Sequence, residues 1–347
     1  MNPSFQRLMV EATRLTRAGD LQGATAAIQA ALGGAAVYQA GDDTCVIDVE
    51  AREVETEFAI LPRSVPNAGQ FISGSHTGAA GTREYKLYVP PGYRGQALPL
   101  VVMLHGCKQS PDDFAAGTEM NEAALERDFF VLYPAQTHKA NASRCWNWFK
   151  HDHQRRDRGE PALLAGMTQD AMKRYRIDQQ RVYVAGLSAG GAMAAILGNA
   201  YPDVFAAVGV HSGLAPGSAT DVQTAFAAMK GGAASAAQSG QMPPAIVFHG
   251  DQDTRVHPAN GERVVAASAG AAAPEFERAR SDNGREYTRR IYRDVSGRVV
   301  AEHWAVHGSG HAWSGGSARG SYTDAKGPNA TEEMLRFFFS CTLHTVR

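Results

Sequence analysis

The sequence predicts an α/β fold in which a mostly parallel sheet is covered by helices on both faces. Apolar runs such as Leu98–Leu104 are typical of strands that are buried on both sides. Strand-like runs alternate with stretches of helical spacing, which is the pattern of a parallel sheet with crossover helices. The length of 347 residues suits one large domain of this class with an extension.

The alternation extends from residue 84 to residue 339. We expect strands at 84–89, 98–104, 129–133, 181–185, 205–210, 245–248, 286–293 and 299–306. We expect helices at 120–127, 162–175 and 330–339. Residues 213–243 are dense in Gly, Ala and Ser, which indicates a loop or a mobile cover.

The first 35 residues predict a helical hairpin ahead of this domain. Apolar residues recur at three- and four-residue steps from Phe5 to Leu15 and again from Leu21 to Leu32. Gly19 suits the end of the first helix and Asp20 the N-cap of the second. The hairpin either packs within the chain or forms a homodimer, and no motif indicates an outside partner. Residues 36–80 have weak periodicity and predict a linker or irregular extension, which leaves 81–347 as the catalytic domain.

Composition excludes several classes of protein. Hydrophobic residues make up 44% of the chain and charged residues 20%, with a net charge of -1, so no basic surface points to nucleic acid or an anionic membrane. No apolar run reaches the length of a membrane-spanning helix. No secretory signal is visible, so we expect a cytoplasmic protein, or a secreted one whose leader was removed before this numbering begins.

The four cysteines are Cys45, Cys107, Cys145 and Cys341, and they lack metal-ligand spacing. In a reducing cytosol the expectation is four free thiols. We expect no metal and no cofactor.

The stretch Gly186-Leu187-Ser188-Ala189-Gly190 fits the pattern G-x-S-x-G between a strand and a helix. In that context a strained turn presents the serine hydroxyl as a nucleophile, and glycines allow neighbouring backbone to approach closely. A structural turn that happens to hold a serine is the alternative.

A serine nucleophile needs a base and an acid, which follow it along the chain in this arrangement. The loop after the strand at 245–248 carries Asp251 and Asp253, of which Asp253 is our candidate acid and Asp251 a loop hydrogen-bonding residue. His311 lies in a glycine-rich loop after the strand at 299–306 and is our candidate base. His307 and His303 are its competitors, although His303 falls within the predicted strand.

Acyl transfer also requires hydrogen-bond donors for the oxyanion. The expected donors are the backbone amide of Ala189, which follows the serine, and that of Cys107 in the segment LHGCKQ. We expect His105 to brace this loop.

The motifs LHGCKQ, RCWNWF, GLSAGGAMA, HGDQDTRVHP and GSGHAWSGG together resemble the polyhydroxybutyrate (PHB) depolymerase family of esterases, related to feruloyl and acetylxylan esterases. The resemblance covers roughly residues 80–340. It implies an α/β-hydrolase fold, a triad of Ser188, Asp253 and His311, and Cys107 in the oxyanion loop. It also implies that Cys107 and Cys145 lie close together and are paired in secreted relatives.

Trp146, Trp148 and Trp313 are candidates for substrate binding, because an apolar ester requires an apolar pocket wall. Their alternative role is to fill the core.

The predicted function is hydrolysis of short-chain poly(3-hydroxyalkanoate) or 3-hydroxybutyrate esters through an acyl-enzyme. A feruloyl, acetyl or general short-chain carboxylesterase is the alternative. A serine peptidase or a non-catalytic protein fits less well.

Overall fold

The computed structural model describes residues 68–231, 242–282 and 284–343, together with residues 11, 13–15, 18, 20 and 23. The chain divides into two compact units, Met1–Arg63 and Ser64–Arg347. In the first unit, residues 11 and 13–15 are helical, and the Asp20 carboxylate accepts a hydrogen bond of 2.9 Å from the Gly23 N–H, as an N-cap does. The rest of the predicted hairpin, and residues 36–67 of the predicted linker, lie outside the described residues.

In the described part of the second unit, ten strands form one sheet. They are Gln70–Gly78 (β1), Gly81–Val89 (β2), Leu98–Leu104 (β3), Phe130–Pro134 (β4), Ile177–Leu187 (β5), Ala207–His211 (β6), Ala245–Gly250 (β7), Pro274–Arg280 (β8), Glu286–Arg293 (β9) and Val299–Val306 (β10). The spatial order is β1-β2-β4-β3-β5-β6-β7-β10-β9-β8. Two short strands, Trp313–Ser314 (β11) and Thr323–Asp324 (β12), pair separately.

The helices of this unit lie between and after the strands along the chain. They are Pro111–Thr118 (α1), Met120–Arg127 (α2), Gly159–Arg174 (α3), Ala189–Ala200 (α4), Val222–Met229 (α5), Ala259–Ala269 (α6) and Ala330–Phe339 (α7), with a 3-10 helix at His151–Gln154. No described helix has both the length and the apolar character needed to cross a membrane.

The centre of the sheet is parallel and its two margins are antiparallel. Strands β4, β3, β5, β6, β7 and β10 pair in parallel, whereas β1–β2 and β8–β9 add antiparallel ribbons at the edges. Since parallel strands end at the same edge of a sheet, the loops after β3, β5, β7 and β10 lie along one edge. This edge carries the candidate site.

Both faces of the sheet are covered, as the apolar runs predict. Along β3, Leu100 and Leu104 belong to one hydrophobic cluster, whereas Val101 and Met103 belong to the other, and all are fully buried. Alternate side chains of a strand point to opposite faces, so helices must exclude water from each face. The expected α/β fold is therefore confirmed.

Several predicted elements have the expected bounds, and several elements were missed. The strands at 98–104, 286–293 and 299–306 and the helices at 120–127 and 330–339 match. Within residues 36–80, where we expected a linker or irregular extension, the structure has the nine-residue strand β1, which extends the sheet by pairing with β2. Residues 213–243 contain helix α5, whose first turn is capped by Asp221. Helices α1 and α6 and strand β8 were not predicted because each is short and mixed in polarity.

Candidate active site

Ser188 stands at the junction of β5 and α4 with a backbone that few residues adopt. Its φ is 57° and its ψ is -118°, a region that is strained for a residue with a side chain. A hydrogen bond of 2.8 Å from the Ser188 N–H to the carbonyl of His211 holds the turn against β6. The turn is therefore held in the strained conformation that the G-x-S-x-G pattern predicts.

The glycines around Ser188 are required by close backbone contacts. A Cβ on Gly190 would lie 2.0 Å from the Leu104 carbonyl oxygen, and one on Gly186 would lie 2.4 Å from the Gly190 carbonyl carbon. Real Cβ atoms do not approach backbone this closely, so a side chain at either position would displace β3 or α4.

His311 and Asp253 come from separate loops and form a hydrogen-bonded pair. The Nδ1–H of His311 donates to Oδ2 of Asp253 at 2.7 Å. The side chain of Asp253 is fully buried and that of His311 is 9% exposed. Because Nδ1 carries the proton, Nε2 of the neutral ring is an acceptor.

The second oxygen of Asp253 is also saturated with donors. Its Oδ1 accepts from the N–H groups of Arg255 at 2.8 Å and Val256 at 2.9 Å. His249 Nε2 lies 3.4 Å from Oδ2 and donates to the Val256 carbonyl at 2.8 Å. Burial raises the pKa of Asp253, but the hydrogen bonds from His249, His311 and Val256 outweigh it and hold the pKa well below its usual value. The carboxylate is thus charged and fixed in position.

A second Asp–His pair lies in the same two loops but is exposed. His307 Nδ1 donates to Asp251 Oδ2 at 2.9 Å, and the Gly308 N–H donates to Asp251 Oδ1 at 2.7 Å. The His307 Nε2 is bonded to the Thr288 hydroxyl at 2.9 Å. Asp251 is therefore the loop hydrogen-bonding residue that we expected.

Ser188 and His311 line one cleft of about 310 Å³, together with Cys107. Among the described residues, neither Ser188 Oγ nor His311 Nε2 has a hydrogen-bond partner, so both atoms are available to a ligand. The backbone N–H groups of Cys107 and Ala189 likewise donate to no described group. Ala189 is the first residue of α4, where the amides point out of the helix and favour negative charge.

The expected proximity of Cys107 and Cys145 is confirmed. The two form a disulfide with Cα atoms 4.2 Å apart, which ties the loop after β3 to the segment that contains the paired tryptophans. The expectation of free thiols is therefore wrong for this pair. Cys341 is free and buried, and Cys45 lies outside the described residues.

Besides His249, three buried histidines lie near the site without lining the cleft: His105, His211 and His303. Burial lowers the pKa of His105 to about 4. It lowers the pKa values of His211 and His303 to about 3. His105 donates from Nδ1 to the Gly106 carbonyl at 2.7 Å and accepts from the Gln136 N–H at 3.1 Å, so it braces the loop after β3. His303 lies within β10, as predicted, and is buried there.

The structure corrects the assignment of the three tryptophans. Trp146, Trp148 and Trp313 are 0%, 5% and 1% exposed, belong to the hydrophobic core and do not line the cleft. Trp146 Nε1 donates to the His105 carbonyl at 3.0 Å, and Trp313 Nε1 donates to the Thr331 hydroxyl at 3.1 Å. Through these bonds, Trp146 stabilises the loop after β3, and Trp313 ties β11 to the first turn of α7.

Seven described residues that line the cleft were not predicted as site residues: Gly106, Lys108, Gln109, Leu187, Met229, Arg255 and Tyr322. The sequence could have indicated Lys108 and Arg255, because each lies one or two residues from a predicted site residue. Met229, at the end of α5, and Tyr322, in the loop after β11, carry no local signal, because only the tertiary fold brings them to Ser188.

Comparisons with known proteins bear on this site and on the fold. The sequence model of the family described as Esterase PHB depolymerase matches residues 83–269. The chain is 30% identical over 237 residues to poly(3-hydroxyalkanoate) depolymerase C of Paucimonas lemoignei, and the matched region covers 65% of this chain and 57% of that protein. It is 31% identical over 186 residues to feruloyl esterase B of Thermothelomyces thermophilus, which covers 48% and 63%. The chain thus spans less than two-thirds of the length of either relative.

Among solved structures, the chain resembles an acetyl xylan esterase from Aspergillus awamori. The TM-score is 0.61 at 19% identity, over 78% of this chain and 99% of that one. The likeness shows that the fold is the α/β-hydrolase fold.

Proposed function

The chain belongs to the PHB depolymerase family of esterases, and on that premise we propose that it is a serine esterase which hydrolyses carboxylic esters through an acyl-enzyme. One observation carries the proposal. Ser188 and His311 line the same cleft, and neither Ser188 Oγ nor His311 Nε2 is hydrogen-bonded to another described residue, while Nδ1 of His311 is bonded to the buried Asp253. These three residues can supply the nucleophile, the base and the orienting acid that acyl transfer requires.

In the first step, Ser188 Oγ attacks the carbonyl carbon of the ester. Its proton passes to His311 Nε2, and the carbonyl π electrons move to oxygen. Asp253 stabilises the resulting imidazolium and keeps Nδ1 protonated. Collapse of the tetrahedral intermediate breaks the bond to the alcohol oxygen, which takes the proton from His311 and leaves an acyl group on Ser188.

The second step repeats the first with water in place of serine. His311 removes a proton from water, the resulting hydroxide attacks the acyl carbon, and Ser188 leaves with the proton from His311. In both steps the N–H groups of Cys107 and Ala189, which have no partner among the described residues, would donate to the oxyanion. The disulfide of Cys107 holds one of these donors against Cys145.

For the substrate, we propose short-chain hydroxyalkanoate esters. The cleft is small, at about 310 Å³, and Leu187, Met229 and Tyr322 give it an apolar wall that suits a short aliphatic acyl group. The similarity to a poly(3-hydroxyalkanoate) depolymerase supports this class. A feruloyl ester is the second candidate, supported by the similarity to a feruloyl esterase.

The test of the reaction type is turnover of 4-nitrophenyl butyrate beside an aminoacyl 4-nitroanilide. We expect hydrolysis of the ester and not of the anilide. The Ser188→Ala variant should lose several orders of magnitude in kcat while its circular dichroism spectrum is unchanged. Retention of more than about a tenth of the activity would show that Ser188 is not the nucleophile.

The test of the substrate class is a direct comparison under one set of conditions. We expect release of 3-hydroxybutyrate from its oligomers or from amorphous polymer to exceed release of ferulate from methyl ferulate. The reverse order would favour the second candidate.

A further inference from the structure

Two cationic side chains line the cleft beside Ser188. Lys108 belongs to the loop after β3 and directly follows Cys107, whereas Arg255 belongs to the loop after β7 and lies two residues beyond Asp253. Both are exposed. They approach the cleft from two loops, one of which carries a proposed oxyanion donor and the other the proposed acid.

Neither cation has a partner in the described part of the chain. No hydrogen bond or ion pair involves the Lys108 ammonium or the Arg255 guanidinium; only their backbone groups are bonded. Other arginines are paired, as in the contact of 2.8 Å between Arg289 and Glu302. Lys108 and Arg255 are therefore free to bind an anion that enters the cleft.

The surroundings of the cleft do not neutralise this charge. No Asp or Glu is among its described lining residues. Asp253 is fully buried, and its charge is engaged by His311 and His249.

From this arrangement we propose that the cleft selects esters which carry a carboxylate close to the scissile bond, and that Arg255 and Lys108 recognise that carboxylate. The inference rests on the proposed esterase function and narrows its substrate class. The apolar wall of Leu187 and Met229 accommodates a short aliphatic chain, while the two cations bind its charged end. An oligomer of a hydroxyalkanoate with a free terminal carboxylate has both features.

The carboxylate has two possible positions, on the alcohol part or on the acyl part of the ester, and two substrate pairs distinguish them. The first pair is the dimer of 3-hydroxybutyrate as the free acid and as its methyl ester. The second pair is butyl hydrogen glutarate and butyl methyl glutarate, and its hydrolysis is measured as release of butanol. In each pair, methylation removes the charge and adds a second ester bond, so initial rates are taken from cleavage of the original bond, by release of methyl 3-hydroxybutyrate from the methylated dimer or of butanol.

In at least one pair, we expect the charged ester to have a kcat/KM about tenfold above that of its methyl ester at low salt. Each exposed ion pair supports a factor of about three to five. Raising NaCl from about 0.05 M to about 0.5 M should reduce this preference, because salt screens exposed charges.

The variants Arg255→Gln and Lys108→Gln should each lower the preference about threefold to fivefold. Arg255→Lys should retain most of it. The control is Lys173→Gln, which removes a surface cation that is 78% exposed and does not line the cleft, and it should keep the wild-type preference. Because the readout is a ratio of two esters, any general loss of activity in a variant cancels.

Three results would overturn the inference or its premise. Turnover of the methyl esters without preference for the charged partners would refute the inference and leave the esterase proposal intact. A preference that is unaffected by salt, or by both Gln variants where these fold, would refute the role of Arg255 and Lys108. Absence of turnover with every ester would refute the esterase proposal itself.

Discussion

The two Asp–His pairs allow one substitution to be tested against a closely matched control. Asp253→Asn alters the buried carboxylate bonded to His311, and Asp251→Asn alters the exposed carboxylate bonded to His307. Both aspartates lie in the loop after β7, two residues apart. We expect a severe loss of activity from the first and a minor one from the second.

The structure supplies the magnitude of the loss. During attack, His311 becomes cationic beside the Asp253 carboxylate; opposite charges about 4 Å apart at an effective dielectric constant of about 20 attract by about 4 kcal/mol. That energy is about three orders of magnitude in rate. The amide also disturbs the tautomer of His311. The Asn oxygen must still accept from the N–H groups of Arg255 and Val256, so the NH2 group faces Nδ1 of His311 and disfavours a proton there. Together the two effects predict a loss of about ten-thousandfold in kcat.

The control predicts a much smaller loss. The side chains of Asp251 and His307 are 38% and 32% exposed, and an ion pair in that setting contributes up to about 1 kcal/mol. A loss of at most about fivefold is expected, through slight movement of the loop that carries His311.

The assay is kcat/KM with 4-nitrophenyl butyrate for both variants, with thermal melting to establish that each is folded. Equal losses in two folded variants, or a larger loss in Asp251→Asn, would refute the assignment of Asp253. The second outcome would make Asp251 and His307 the candidates instead.

Three further predictions concern the surroundings of the site. Thiol titration of the denatured protein should show two more thiols after reduction than before, and an unchanged count would contradict the Cys107–Cys145 bond. Loss of that bond should lower the free energy of unfolding by about 4 kcal/mol, for its separation of 38 residues. Trp146→Phe removes the hydrogen bond to His105 and should lower the free energy of unfolding by about 1–3 kcal/mol without changing substrate preference, as melts and kinetics on two esters would show. The buried histidines His105, His211 and His303 have pKa values below that of an unfolded histidine, so the unfolded chain binds protons first on acidification. Their contribution to stability is complete above about pH 6.5, and the free energy of unfolding should fall by about 4 kcal/mol between pH 7.5 and pH 5.5. His303→Gln should reduce that fall by about a third. If denaturant titrations gave the variant the same change in free energy of unfolding with pH as wild type, titration of His303 would be excluded as a cause.

The sequence alone determined the alternation of strands and helices at the centre of the sheet and the position of the candidate nucleophile. Leu98–Leu104 is apolar throughout because both faces of β3 are buried, and this periodicity is visible without a structure. The stretch from Gly186 to Gly190 is equally local, since a strand, a strained turn and a small-residue helix occupy consecutive residues. Short elements of mixed polarity such as β8 lack that signal, because their neighbours in the sheet determine their conformation.

Tertiary structure alone decided which side chains face the cleft and which lie in the core. The local sequence around a tryptophan does not show whether the side chain lines a pocket or fills the core. Only the packing shows that Trp146, Trp148 and Trp313 are buried. Met229 and Tyr322 reach the cleft from segments far from Ser188 in the chain. That Arg255 has no partner among the described residues is likewise visible only in three dimensions, because a partner for a charged side chain can come from any part of the fold. Local sequence records what each residue is able to do, whereas contacts across loops decide which residues act together.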